Sequence, residues 1–195
     1  MAGKAIRSVR VLIWVIVAVV AVGAIIHQLT SPPSMSLGQG DYALEDGAGK
    51  PFTAASLKGA PTMLFFGYTH CPDVCPTTLA DMATWFEQLG PAGQQLRGIF
   101  VTVDPERDTP AVINDYVHAV SDRVTGVTGS PAEIAKMLKD WGIYAKKVGT
   151  GANYTMDHTA TVFLLDSGAN FQGTIAYDED QATAVQKLKN LVAKG

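Results

Sequence analysis

An α/β fold with a central mixed sheet flanked by helices is predicted by three observations. Short apolar runs alternate with segments of helical periodicity, three of those segments open on a proline, and near the C terminus a turn sequence separates two strand-like runs.

The elements follow in order. After a Gly-rich, turn-prone stretch from Gly38 to Gly59 with room for a small hairpin, Met63 to Phe66 reads as a buried strand. Pro76 to Leu89 reads as a helix, because Leu79, Met82, Phe86 and Leu89 recur at helical spacing and Gly90-Pro91 stops it. Ile99 to Val103 is the next strand. Asp108-Thr109-Pro110 starts a helix through Val120, with capping chemistry followed by proline at the first helical position. Val124 to Val127 reads as a short strand, and Ser130-Pro131 opens a helix to about Asp140. Thr161 to Leu165 and Phe171 to Ala176 are strands joined by Asp166-Ser167-Gly168-Ala169-Asn170, the turn of an antiparallel hairpin. Asp180 to Lys194 closes the chain as a helix. This succession is a thioredoxin-like order.

Ahead of that domain, Val11 to Ile26 is an uncharged apolar run of sixteen residues, preceded by Lys4, Arg7 and Arg10. At 1.5 Å per residue it spans roughly 24 Å, enough with its flanks to approach the ~30 Å hydrocarbon core. The predicted organisation is a basic cytoplasmic N terminus (1–10), a single transmembrane anchor (11–29), a Pro-containing linker (30–37) and an exported domain (38–195). Basic residues before the span keep that end inside, so the domain faces the periplasm or an equivalent compartment across the inner membrane. A cleaved signal peptide is the alternative and leaves the domain exported all the same. Without the three basic residues ahead of the span, 12 Lys and Arg face 18 Asp and Glu, a balance that argues against nucleic acid as a partner.

The two cysteines, Cys71 and Cys75, stand in His70-Cys71-Pro72-Asp73-Val74-Cys75-Pro76, directly after the first core strand. A helix N-terminus stabilises negative sulfur, which suits redox work or a soft metal. Because a residue before proline avoids helical backbone, Cys75 is expected as the cap and Cys71 in the incoming loop. Three intervening residues differ from the Cys-x-x-Cys of disulfide oxidoreductases and tilt the reading from thiol exchange towards metal binding. A structural disulfide stays open as an alternative.

Two thiolates need a third ligand, and four histidines are available. His27 adjoins the apolar run, His118 sits where a helix C-terminus favours a cation, and His70 points away from its neighbour Cys71. His158, just before a predicted strand, is the remaining candidate ligand, with a packed structural histidine as the competing role. Two sulfurs and one imidazole form a soft set that suits copper; structural zinc would want a fourth ligand. Met156 reads as core. Asp73 reads as a helix cap, Asp108 or Thr109 as another, Asp157 as loop support, and Arg107 with Asp104 as a pair across the loop or a contact for a partner protein.

Phe66-Gly67-Tyr68-Thr69-His70-Cys71-Pro72-Asp73-Val74-Cys75-Pro76-Thr77-Thr78-Leu79, together with Val103-Asp104-Pro105-Glu106-Arg107-Asp108-Thr109-Pro110 and Asp157-His158, resembles the Sco/SenC family of copper proteins. The resemblance implies a thioredoxin-like fold, a single membrane anchor, and Cu(I) or Cu(II) held by Cys71, Cys75 and His158. It also implies a part in building the copper A centre of cytochrome c oxidase subunit II. That part is a metallochaperone's, which is not catalysis, or a thiol-disulfide reductase's with Cys71 and Cys75 as the catalytic pair. The expected partners are subunit II, other copper chaperones, and a thiol reductant, since exported compartments oxidise thiols. The residues Ala145 to Asn153 are expected to form a compact loop presenting the histidine. A peroxidase of similar fold is a further alternative.

Overall fold

The computed structural model describes residues 37–193 and eight helical positions between 13 and 22. The anchor at 11–29 and the linker at 30–37 lie largely outside the described residues, and His27 lies wholly outside them. Among the described residues no helix is long and apolar enough to cross a membrane.

The domain opens with a hairpin of β1 (Leu44–Asp46) and β2 (Pro51–Phe52), within the stretch where the sequence allows one. Then follow β3 (Thr62–Gly67), α1 (Val74–Leu89), β4 (Arg97–Thr102), α2 (Pro110–His118), β5 (Val124–Thr128) and α3 (Pro131–Asp140). After these come β6 (Ala145–Val148), β7 (Thr155–His158), β8 (Thr161–Leu165), β9 (Phe171–Ala176) and α4 (Gln181–Val192). Seven described strands form one sheet in the order β2-β1-β5-β4-β3-β8-β9; β6 and β7 pair separately.

The sheet is mixed because the two kinds of connection demand it. Helical crossovers α1 and α2 make β3, β4 and β5 parallel, whereas the short turn after β8 makes β8 and β9 antiparallel. That turn is held by Asp166, whose Oδ1 accepts the N–H groups of Gly168 and Asn170, with Ala169 at φ 64°. Thr109 and Ser130 cap α2 and α3, each followed by the proline its helix start favours.

Every residue of β3 is buried, as a strand flanked on both edges and covered on both faces must be. On one face Phe65 and Phe100 pack together, Phe100 against Tyr116 of α2, and Gly98 leaves room for Met82 of α1. On the other, Trp141 at the end of α3 packs against Phe66 and Phe163. Two parallel strands, β3 and β4, thus end side by side at one edge of the sheet, where loops of α/β folds gather their functional groups.

Candidate metal centre

The loop between β3 and α1 carries the cysteines, and α1 starts earlier than the sequence predicts. Asp73 stands at the N-cap position, so Cys75 lies inside the first turn and is not the cap; Cys71 is in the incoming loop, as expected. Asp73 makes no capping hydrogen bond through its side chain. The open N–H groups find sulfur instead: the Cys75 N–H donates to Cys71 Sγ at 3.4 Å. Cys75 is fully buried, with its Sγ where a Cβ on Gly67 would stand 2.9 Å away, so the strand's last residue must be glycine for the sulfur to sit there. Both cysteines are free.

His158 ends β7 and reaches the same point from the other side. Its Nε2 stands 3.6 Å from Cys75 Sγ, and its Nδ1 is 3.0 Å from the Thr159 carbonyl. An Nδ1–H donating to that carbonyl leaves the Nε2 lone pair facing the sulfurs. The edges of Tyr68 and Phe65 flank the ring, with centroids at 5.7 and 6.3 Å. The two Sγ atoms and a ring nitrogen all lie within 4.8 Å of one another, spacing that one small ion can bridge. The other two described histidines stay apart: His70 is exposed and turns Nδ1 to Thr69 Oγ1, and His118 Nδ1 lies 2.8 Å from the Asn114 carbonyl. Met156 is partly buried against the core, and Asp157 is exposed, opposite Lys146 across the hairpin.

The sulfurs are not equivalent. A hydrogen bond from the Cys75 thiol, with help from the N–H groups of Asp73 and Cys75 and from His158, outweighs partial burial and holds Cys71 down to about 5 from an ordinary 9.0. The same bond, with burial, pushes Cys75 up. Cys71 also opens on a cleft of about 430 Å³ walled by Tyr68, Val74, Tyr144 and Met156. In the copper-free protein, alkylation of Cys71 should therefore accelerate as pH rises through about 5, where the thiolate forms, while Cys75 stays unreactive. Mass mapping after a pH-jump with iodoacetamide reads this; a Cys71 rate that climbs only near 9.0 would refute it.

The loop after β4 holds the rest together, in a way the capping pattern of its sequence conceals. Asp108 is no cap; Thr109 is. Asp108 is fully buried and accepts from the Thr69 N–H (3.0 Å), Thr69 Oγ1 (2.6 Å) and Thr102 Oγ1 (2.7 Å), fixing the cysteine loop across 39 residues of sequence. Asp104, also buried, pairs with Arg107 and accepts from Tyr154 Oη at 2.6 Å. The pairing of Arg107 with Asp104 is the one the sequence suggests; their grip on Tyr154 is not legible there. Of the stretch expected as a compact loop, Ala145–Val148 is strand β6, paired antiparallel with β7 so that Ala145 stands opposite His158, and only the residues after it form the turn.

A family model described as SCO1/SenC matches residues 31–193. The chain belongs to the SCO1/SenC family. Among relatives, the mitochondrial protein SCO1 of Saccharomyces cerevisiae is 33% identical over 157 residues, covering 78% of this chain and 53% of that protein. The structure of Bradyrhizobium japonicum ScoI with copper bound is 43% identical, with a TM-score of 0.72, and the match covers 78% of this chain and 98% of that one. Yeast Sco1 with copper bound is 31% identical at a TM-score of 0.73, covering 80% and 89%. This SCO1/SenC chain spans about half the length of the curated relatives it matches first. The thioredoxin-type α/β fold is thus shared with these solved members.

Proposed function

We propose that this chain is a membrane-anchored copper chaperone that carries copper as cargo on Cys71, Cys75 and His158 and delivers it to the copper A centre of cytochrome c oxidase subunit II. The observation that carries the reading is the convergence of two sulfurs and one imidazole nitrogen within 4.8 Å, from a helix start and a hairpin 83 residues apart. Two soft thiolates and a borderline imidazole suit copper, and no fourth His, Cys, Asp or Glu joins the group among the described residues, as structural zinc would want. The copper-bound relatives support the choice of metal. Copper would supply an ion that prefers few, soft ligands and can pass between thiolate sites. The chain's own residues set up that capture: Cys71 enters as thiolate at the cleft, Cys75 gives up its proton on binding, and His158 offers Nε2 from a ring held by Thr159 and Tyr68. The apolar run from Val11 to Ile26 supports an anchor that keeps the domain at the membrane surface on the exported side.

The deciding experiment is His158→Ala with chelator competition for Cu(I) and Cu(II). Affinity should fall at least about tenfold, the lower range for removing groups that serve a metal site. Unchanged affinity would sink the three-ligand site.

One observation favours a second role. Both cysteines are free, and the half-buried Cys71 faces the cleft with Cys75 directly behind it. Cys71 thiolate would attack a target disulfide, form a mixed disulfide and release one target thiolate. Cys75, after losing its proton, would attack Cys71 Sγ and release the second. The target gains two electrons and the pair becomes a disulfide, which an external dithiol reductant must reset. Exchange with a disulfide-bonded peptide of subunit II, measured without copper, tests this: slow exchange leaves delivery alone.

A further inference from the structure

Two halves of the site arrive on separate elements, and both are tied to one short loop. The cysteine loop is held by Asp108 through Thr69, and the hairpin that ends in His158 is held by Asp104 and Arg107 through Tyr154. The second grip is dense. Arg107 Nη1 donates to the carbonyls of Tyr154 (3.0 Å) and Ala152 (3.4 Å), and its guanidinium lies 3.6 Å from the Tyr154 ring centroid. Lys147, which pairs with Glu106 of the same loop, lies 4.0 Å from that ring centroid. The hairpin's strands are otherwise mostly exposed and pair only with each other, and their apolar anchorage is limited to the partly buried Ala145 and Met156 and to the contacts of the His158 ring with Tyr68 and Phe65. Thr102 connects the two grips, donating its hydroxyl to Asp108 while accepting the Asp104 N–H at 2.8 Å.

We infer that Asp104, Arg107 and Asp108 form a bracket that sets the distance between the sulfurs and the imidazole, and that Arg107 and Tyr154 are positioning residues for His158. A hairpin this weakly packed opens locally at low cost unless something pins it. Arg107 and Asp104 sit in the loop that follows β4, a core strand to which the Asp104 N–H is tied through Thr102 Oγ1, and so lend the hairpin the rigidity of the sheet. Loosening the clamp leaves the sulfurs in place and lets the histidine wander.

The inference rests on the copper reading for its metal readout and on the apo protein for the others. Arg107→Gln removes the ion pair with Asp104 and the charge stacked on Tyr154; Tyr154→Phe removes only the Oη donation and keeps the ring. Arg107→Lys is the conservative rescue, keeping a cation beside Asp104. Three measurements separate the causes: amide hydrogen exchange across residues 145–158, the alkylation rate of Cys71 at about pH 8, far enough above about 5 that losing the His158 contribution leaves it a thiolate, and Cu(I) and Cu(II) affinity by chelator competition. In Arg107→Gln, exchange in the hairpin should rise about tenfold and copper affinity fall about tenfold, with Cys71 alkylation unchanged and the lysine variant in between. Tyr154→Phe should shift both in the same direction by less. Wild-type exchange and wild-type affinity in Arg107→Gln would overturn the bracket. Exchange that rises together with Cys71 alkylation would also overturn it, because general loosening moves both halves. If the wild-type chain bound no copper, the copper proposal would fail, while exchange and alkylation would still decide the bracket.

Discussion

Cys75→Ala should weaken copper binding at least about 100-fold, since groups that merely orient ligands already cost 10–100-fold when removed, and should leave at most the Cys71 share of the thiolate-to-copper charge-transfer absorption of the Cu(II) form. Its Sγ is the meeting point of the site. It lies 3.6 Å from His158 Nε2, is hydrogen-bonded to Cys71, and occupies the space left by Gly67 at the end of β3. Cys71 and His158 alone would leave two ligands on opposite walls with a hole between them. The variant also reports on the apo protein: the first cause of the low Cys71 value is the hydrogen bond from Cys75, so the onset of Cys71 alkylation should move upward from about 5. Each arm has its own failure. A charge-transfer band unchanged in position and intensity would remove Cys75 from the ligand set, and an unmoved alkylation profile would place the cause of the Cys71 shift at the helix N-terminus instead. The cavity left by a buried sulfur is small, so circular dichroism should show a folded domain.

The contrast between what was legible and what was not has a physical origin. Leu79, Met82, Phe86 and Leu89 announce α1 because each points into the core, and a local period of 3.6 needs no knowledge of what lies opposite. The strands of the main sheet announce themselves as apolar runs for the same reason. β6 and β7 leave no such trace: most of their residues are exposed, their pairing is with each other, and their position is set by ion pairs and a ring sandwich to a loop some 40 residues away. Cys71 and Cys75 are conspicuous as the chain's only cysteines, and His158 emerges because the other three histidines have plain alternatives. Asp108 is the instructive case, since the sequence offers it and Thr109 equally as the cap. Asp-Thr-Pro is sound capping chemistry, and the cap exists, yet Thr109 supplies it. What frees Asp108 for Thr69 is that β4 and β3 end side by side, a fact of sheet order that the local sequence does not carry.

Asp108→Ala should cost the domain about 2–5 kcal/mol, although Asp108 is no member of the group formed by the two sulfurs and His158. Its side chain is 0% exposed and accepts three hydrogen bonds. Alanine leaves the Thr69 N–H, the Thr69 hydroxyl and the Thr102 hydroxyl to find other acceptors, and a buried donor left unmet costs about 1–3 kcal/mol. Thr102 is fully buried, so water reaches it poorly; Thr69 is half-exposed and recovers part of its loss from solvent. For a domain of this size each kcal/mol moves the melting temperature by about 2–4 °C, so the midpoint should drop by about 4–20 °C. Asp108→Asn keeps one acceptor oxygen and should fall between. A drop below about 2 °C for the alanine variant would mean the three bonds are replaced at no cost, against the expected penalty for orphaned buried donors. The effect on the site should be opposite in kind to that of Arg107→Gln. Freeing Thr69 releases the turn closed by the Cys71 N–H on the Tyr68 carbonyl at 3.3 Å, so the cysteine loop, and not the hairpin, should gain hydrogen exchange. Two charged side chains one residue apart would then act on two different halves of one metal site, which is what a bracket built across adjacent strand ends requires.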